Sequence, residues 1–322
     1  MEKRNKPIKI LILGRIPPPV GGVTIHVKRL IKRLEDKNID FAFHKLDSPV
    51  SSIIRVALKH KVIHLHTSNS YFRFLFAFFC FLMNKKLIQT YHSDIRHFRF
   101  TKRMLNIISI FFTSFPVVIN DASYKIARRI NKHSHLISAY IQPVASEILP
   151  DEIKHLIDLW RGDYSPIFCT NASSLVFDKN GREVYSGTEL IKIFSRLNIK
   201  GLIFSDPTGK NQQYWMARNR SLPKNVLFIT WKHNFCEVLK LSDCFIRAST
   251  TDGDSLSVKE ALSFGKPVIA SDCVDRPAEC ILYRTNDSDD LLQKISNYQN
   301  LKSTKIDKYD GFKQIIQLYR ML

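Results

Sequence analysis

The chain has 322 residues, 44% hydrophobic and 24% charged, which suits two ordinary globular domains and excludes disordered or collagen-like chains. Its longest uncharged apolar run, Phe74 to Met83, is ten residues and too short to cross a bilayer as a helix. The net charge of +20 is lopsided: residues 1–150 hold 25 Lys and Arg against 8 Asp and Glu, and the remainder hold 24 against 21. A basic half seeks phosphate, from nucleic acid, an anionic membrane or a phosphorylated substrate. No nucleic-acid-binding module pattern accompanies the charge, so nucleic acid is set aside as a partner. The six cysteines, with no C-x-x-C among them, read as reduced thiols of a cytoplasmic protein. The basic start lacks a small-residue cleavage site, so no signal peptide is expected.

Ile8–Leu13 (IKILIL) predicts a strand. A turn-forming stretch, G-R-I-P-P-P-V-G-G-V, leads from it into Thr24–Leu34, where Ile25, Leu30, Ile31 and Leu34 recur at helical spacing. Strand, glycine loop and helix open a nucleotide-binding type of domain. The alternation continues with helix Ile53–Lys59, strand Val62–His66, helix Tyr71–Met83, strand Lys86–Tyr91 and helix Lys102–Phe112. Strand Pro116–Asn120, helix Ala122–Ile130 and a weak strand His135–Ile141 complete the first domain, residues 1–150. Residues 151–165 read as a linker with a short helix. A second domain, 166–308, repeats the architecture. Its strands are Pro166–Thr170, Gly201–Phe204, Val226–Ile229, Cys244–Ala248 and Pro267–Ser271. Its helices are Gly187–Leu197, Gln212–Arg218, Asn234–Leu241 and Ser257–Phe264. Residues 309–322 carry a helical pattern expected to pack back on the first domain. Apolar strands alternating with helices imply an α/β fold of two doubly wound, Rossmann-like domains facing a central cleft.

The segment richest in chemistry is Ile246 to Asp272 (IRASTTDGDSLSVKEALSFGKPVIASD). A strand ends in a polar loop that enters a helix through Ser255, Leu256 and Ser257, whose backbone N–H groups can hold a phosphate. Glu260 lies one turn inside, where a carboxylate can accept two sugar hydroxyls, and Asp252 precedes it by eight residues in the loop. An ordinary capped helix would explain one serine, but not two carboxylates, a glycine (Gly253) and two serines packed before an apolar helix.

This stretch resembles the retaining GT-B glycosyltransferases of family four, the group 1 glycosyl transferases. They carry an acidic residue, seven others and a Glu, followed by A-L-x-x-G-x-P-V-I-A-S-D; here these are Asp252, Glu260 and Ala261 to Asp272. The resemblance implies that Glu260 binds the ribose of a nucleotide-sugar and that Asp252 lies near the sugar. Pro17 to Val23, with Gly21 and Gly22, is similar to the family's first glycine loop, which closes over the donor phosphates. His92, at the end of Q-T-Y-H, matches a histidine near the reacting centre. The first domain is then the acceptor side and the second the donor side. The chain departs from the pattern at the two cations that hold the donor pyrophosphate. An Arg after the first strand of the second domain and a Lys-Gly before its first helix are replaced by Thr170-Asn171-Ala172-Ser173 and Tyr185-Ser186-Gly187-Thr188. Arg182 or Lys210 are the nearby candidates to replace them. Asp206 to Lys210 (DPTGK) is not a Walker loop.

His64-x-His66 suggests metal, but no third ligand has matching spacing, so neither a metal nor a cofactor is expected beyond the donor itself. The resemblance implies metal-free transfer of a sugar from a nucleotide-sugar to a glycan or lipid-linked acceptor, as in bacterial polysaccharide assembly. The rival from another class is a weakly active relative serving as a binding or scaffold subunit; a nucleotide-sugar epimerase of the same fold lacks the motif. Basic residues beside aromatic ones in Arg96–Phe115 fit peripheral attachment to the anionic inner face of a membrane. Tyr71–Met83 reads instead as a core helix with solvated ends.

Overall fold

The computed structural model describes residues 9–18, 21–144, 149–178, 180–252, 254–298 and 309–322. The chain divides into two compact units, Met1–Val144 with Tyr309–Leu322, and Ala145–Lys308.

The N-terminal unit is built on a parallel sheet of β1 (Ile10–Gly14), β2 (Phe41–Lys45), β3 (Val62–His66), β4 (Lys86–Tyr91), β5 (Phe115–Val118) and β6 (His135–Leu136), in the order β2-β1-β3-β4-β5-β6. Helices α1 (Gly22–Asp36), α2 (Val50–Leu58), α3 (Ser70–Leu82), α4 (Phe100–Phe112) and α5 (Asp121–Ile130) connect the strands. β1 and β3 are buried along their whole length, as near-continuous apolar strands of a sheet covered on both faces should be. β2 lies on one side of β1 and β3 on the other, so the chain reverses its direction of travel between β1 and β3. At such a switch point the loops diverge and leave a crevice beyond the carboxyl ends of the strands.

The C-terminal unit repeats the plan with β7 (Ile167–Asn171), β8 (Gly201–Ser205), β9 (Val226–Ile229), β10 (Cys244–Arg247), β11 (Val268–Ser271) and β12 (Ile281–Tyr283), in the order β12-β11-β10-β7-β8-β9, again parallel. Its helices are α6 (Asp151–Asp163), α7 (Gly187–Phe194), α8 (Lys210–Met216), α9 (Phe235–Lys240), α10 (Leu256–Ser263) and α11 (Ser288–Ser296). Its switch point lies between β7 and β10.

The last helix, α12 (Phe312–Arg320), belongs to the N-terminal unit. Phe312, Ile315, Leu318 and Tyr319 join the core formed by Ile10, Ile12 and Leu30. Gly311 makes this possible, because a Cβ there would collide with the carbonyl oxygen of Ser138. Strands β2 and β12 and helix α11 were not foreseen from the pattern. β2 (FAFHK) is only half-buried and β12 has three residues, so neither presents the apolar run that marks the inner strands. The weak strand at His135 is two residues rather than seven.

Candidate functional site

In the C-terminal unit the residues marked by the motif converge at the β7/β10 switch point. β10 ends at Arg247, the loop after it carries Asp252, and α10 begins at Leu256. No side chain caps α10, because the hydroxyl of its N-cap Ser255 faces that of Ser257 at 3.2 Å. The first backbone N–H groups of a helix have no intrahelical acceptor and carry the positive end of its dipole, so this end is suited to an anion. Glu260 is 5% exposed, on the second turn of α10. Gly253 lies outside the described residues.

Asp252 does not stand alone. Arg247 grips it through Nε (2.9 Å) and Nη2 (3.1 Å), and Arg276, from the loop after β11, donates through Nη1 at 2.9 Å. Burial works against the Asp252 charge, but the two guanidiniums outweigh it and hold the carboxyl down to about 2. Arg276 also reaches the Ser271 carbonyl (3.1 Å) and Ser249 Oγ (3.0 Å), which ties the ends of β10 and β11 together. Arg182 and Lys210, the cations expected to serve the site, are both exposed. The cations at this switch point are Arg247 and Arg276, which sequence spacing could not single out because Arg276 arrives from a separate loop. Asp206 in D-P-T-G-K is a structural acceptor, taking N–H from Asn211 Nδ2 (2.9 Å) and Gln212 N (3.0 Å) at the start of α8.

In the N-terminal unit the β1/β3 switch point is lined by histidines. His26 from α1, His66 at the end of β3 and His92 after β4 present nitrogens within 4.8 Å of one another. His26 Nδ1 donates to the Ala139 carbonyl at 2.6 Å, so in the neutral ring Nε2 carries the lone pair; it is buried with no hydrogen-bond partner among the described residues, as is His66 Nε2. His66 Nδ1 and His92 Nε2 share a proton at 3.2 Å. The expectation that His66 lacks a third metal-type neighbour rested on linear spacing. The topology overturns that reason by bringing in His26 and His92, and three imidazole nitrogens at this separation are chemically able to hold a divalent ion. Burial lowers the pKa of all three, for His26 to about 4; Arg29 adds to the effect at His26, and Arg73 at His92. They are neutral at pH 7. His64 points the other way, into the core, bonded to Tyr319 Oη (2.6 Å) and Thr90 Oγ1 (2.8 Å). Asn120 caps α5 by accepting from Ser123 N at 2.8 Å.

Gly21 and Gly22 stand before and at the start of α1. Gly21 has extended backbone (φ −170°) and neither glycine takes a positive φ. A Cβ on either would meet nothing within 4 Å, so what their lack of side chain preserves is open space over the helix start. Pro19 and Val20 of the same loop lie outside the described residues.

Residues 172–319 match the family described as glycosyl transferases group 1. This part of the chain is similar to the group 1 glycosyl transferases. An uncharacterized glycosyltransferase of Methanocaldococcus jannaschii is 34% identical over 107 residues, 32% of this chain and 26% of the relative, so the match spans about a quarter of that protein. Over nearly the whole chain the fold is that of solved GT-B structures. Anabaena HepE in complex with UDP superposes with a TM-score of 0.72 at 16% identity, covering 98% of this chain and all of HepE. Sucrose-phosphate synthase of Thermosynechococcus elongatus follows at 0.70 and 14%, covering 97% and 98%. The UDP-GlcNAc 2-epimerase of Methanocaldococcus jannaschii reaches 0.66 at 14%, covering 98% and 100%. A synthase and an epimerase share this fold, so the fold alone does not select the chemistry.

Proposed function

We propose that the chain is a retaining glycosyltransferase that moves a sugar from a nucleotide-sugar to a glycan or lipid-linked acceptor during polysaccharide assembly, without a metal. The observation that carries this reading is the joining of Asp252, Glu260 and the uncapped start of α10 at one switch point, within the group 1 match. Glu260 accepts the ribose hydroxyls, and the N–H groups from Ser255 to Ser257 take the diphosphate as it leaves. Stabilising that developing charge is the main contribution to catalysis. Gly21 and Gly22 leave room for the donor phosphates and the acceptor. His92, neutral at pH 7, hydrogen-bonds the sugar. Asp252 is ionised and held by two guanidiniums, which suits a positioning residue better than a nucleophile. UDP occurs in the complexes of HepE, so UDP-sugars head the donor panel, ahead of GDP- and ADP-sugars.

Glu260→Ala tests the assignment. Hydrogen bonds to a charged group contribute about 1.5–3 kcal/mol, so nucleotide affinity should fall about 10- to 100-fold while the fold survives. Unchanged binding by a folded variant would remove Glu260 from the donor site.

The acceptor side is proposed to meet the inner face of a membrane. No helix among the described residues is long and apolar enough to cross one. The surface of α3 and α4 is nonetheless apolar: Phe81, Leu82, Phe100 and Phe111 are each more than half exposed. The reading of Tyr71–Met83 as a core helix is thereby corrected, since α3 buries Phe76, Ala77 and Cys80 but leaves its other face in solvent. Arg99, Lys102 and Arg103 stand exposed beside this surface, whereas Arg96 pairs with Asp94 at 2.7 Å. Each cation near an anionic surface contributes about 1 kcal/mol, screened over a Debye length of about 8 Å at physiological salt. Binding to vesicles containing anionic lipid should therefore fade with salt. Reversing Arg99, Lys102 and Arg103 to Glu should weaken it far more than reversing Arg182, Lys192 and Arg196. Equal loss in the two triple variants would show that no particular face is used.

The second reading, a binding or scaffold subunit, is favoured by one observation: the pattern's two pyrophosphate cations are absent from Thr170-Asn171-Ala172-Ser173 and Tyr185-Ser186-Gly187-Thr188. It requires donor binding without release of nucleoside diphosphate.

A further inference from the structure

Two buried arginines meet at the switch point of the C-terminal sheet. Arg247 and Arg276 share Asp252, with side chains only 10% and 2% exposed. The other acid of the loop, Asp254, is paired with Lys259 at 2.6 Å. The two guanidiniums thus share one carboxylate in a buried setting. Arg276 is the inner of the two, with its donors directed at Ser271, Asp252, Ser249 and Cys273. Arg247 stands at the end of β10.

Its surroundings say which gap it fills. Arg247 Nη1 donates to Asn171 Oδ1 at 3.3 Å, and the Tyr185 ring lies 4.7 Å from the guanidinium. Asn171 and Tyr185 belong to the two segments in which the family pattern puts its missing cations. One guanidinium from the adjacent strand thus touches both vacated segments.

We propose that Arg247 binds an anionic group of the donor, either its diphosphate or a carboxylate on its sugar, with Asp252 and Arg276 as positioning residues. This rests on the nucleotide-sugar reading above. A planar guanidinium suits either anion, since both offer paired oxygens.

The test compares wild type with Arg247→Gln, which leaves the Asp252–Arg276 pair intact, by calorimetry on two sets of probes. The first is UDP, GDP and ADP, each against its monophosphate. The second is UDP-glucuronate against UDP-glucose, and GDP-mannuronate against GDP-mannose. Wild type should prefer the diphosphates or the acidic sugars by about 10- to 100-fold, and the variant should lose that preference. Loss of the first preference assigns the diphosphate; loss of the second assigns the carboxylate. Should the Gln variant fail to fold, Arg247→Lys keeps the charge without the fork and is expected to lose part of the same preference. Preferences unchanged in a folded variant, or absent from wild type, overturn the proposal. Failure of wild type to bind any nucleotide overturns the donor reading itself, which separates the two.

Discussion

Asp252→Asn should destabilise the C-terminal unit by about 3–5 kcal/mol, the range for breaking a buried ion pair by removing one partner. Asp252 and its two guanidiniums are each at most 10% exposed, so water cannot screen the charges left behind. Neutralising the carboxylate strands Arg247 and Arg276 together and removes the tie between the loop after β10 and the loop after β11. Denaturant titration of the two proteins at pH 7 measures the difference. A loss below about 1 kcal/mol, the size of an exposed pair, would mean that the cluster is solvated. The same group sets a pH limit. Its folded pKa is depressed to about 2, so its contribution is complete above the ordinary aspartate range and is lost as pH falls from about 4 towards 2.

The N-terminal unit should weaken in a different window. His26, His66 and His92 have folded pKa values below the ordinary 6.5, so the folded state binds fewer protons than the unfolded state once pH drops below that value. Their stability contribution is complete above about pH 6.5 and is lost as pH falls towards the folded values. His26, lowered to about 4 by burial and by Arg29, should alone withdraw about 2 kcal/mol at pH 5. His66 and His92 act in the same direction, and Arg73 adds to the effect at His92. The carboxylate at Asp252 does not interfere, since it titrates lower. Urea unfolding at pH 7 and pH 5 should show the loss, and His26→Gln, which can still donate to Ala139, should narrow the gap by about 2 kcal/mol. Equal stability at the two pH values would mean that the cluster admits water or an ion.

The strands of both sheets were legible because a parallel sheet covered on both faces demands apolar runs. Val62–His66, Lys86–Tyr91 and Val226–Ile229 fall where the composition put them. The half-buried β2 carried no such mark. Of the candidate sites, Glu260 and the start of α10 were legible because their chemistry is local in sequence. The histidine cluster was not, since His26, His66 and His92 meet only after α1 folds back beside β3 and β4. Nor was the arginine pair: Arg276 is 24 residues from Asp252, and its role depends on β10 and β11 being neighbours. The exposed face of α3 was hidden by the reverse ambiguity, because an apolar run reads the same whether its helix is wholly buried or leaves one face exposed.

The most direct measurement is release of nucleoside diphosphate by the purified protein from UDP-, GDP- and ADP-sugars in excess EDTA. At least one donor should bind and be turned over, slowly with water and faster with a glycan or lipid-linked acceptor, because protein N–H groups and guanidiniums hold the leaving group. A protein that binds a nucleotide-sugar yet never releases its diphosphate, with or without Mg²⁺ or Mn²⁺, would be a binding subunit. Release that requires the added metal would contradict the metal-free transfer proposed for this site.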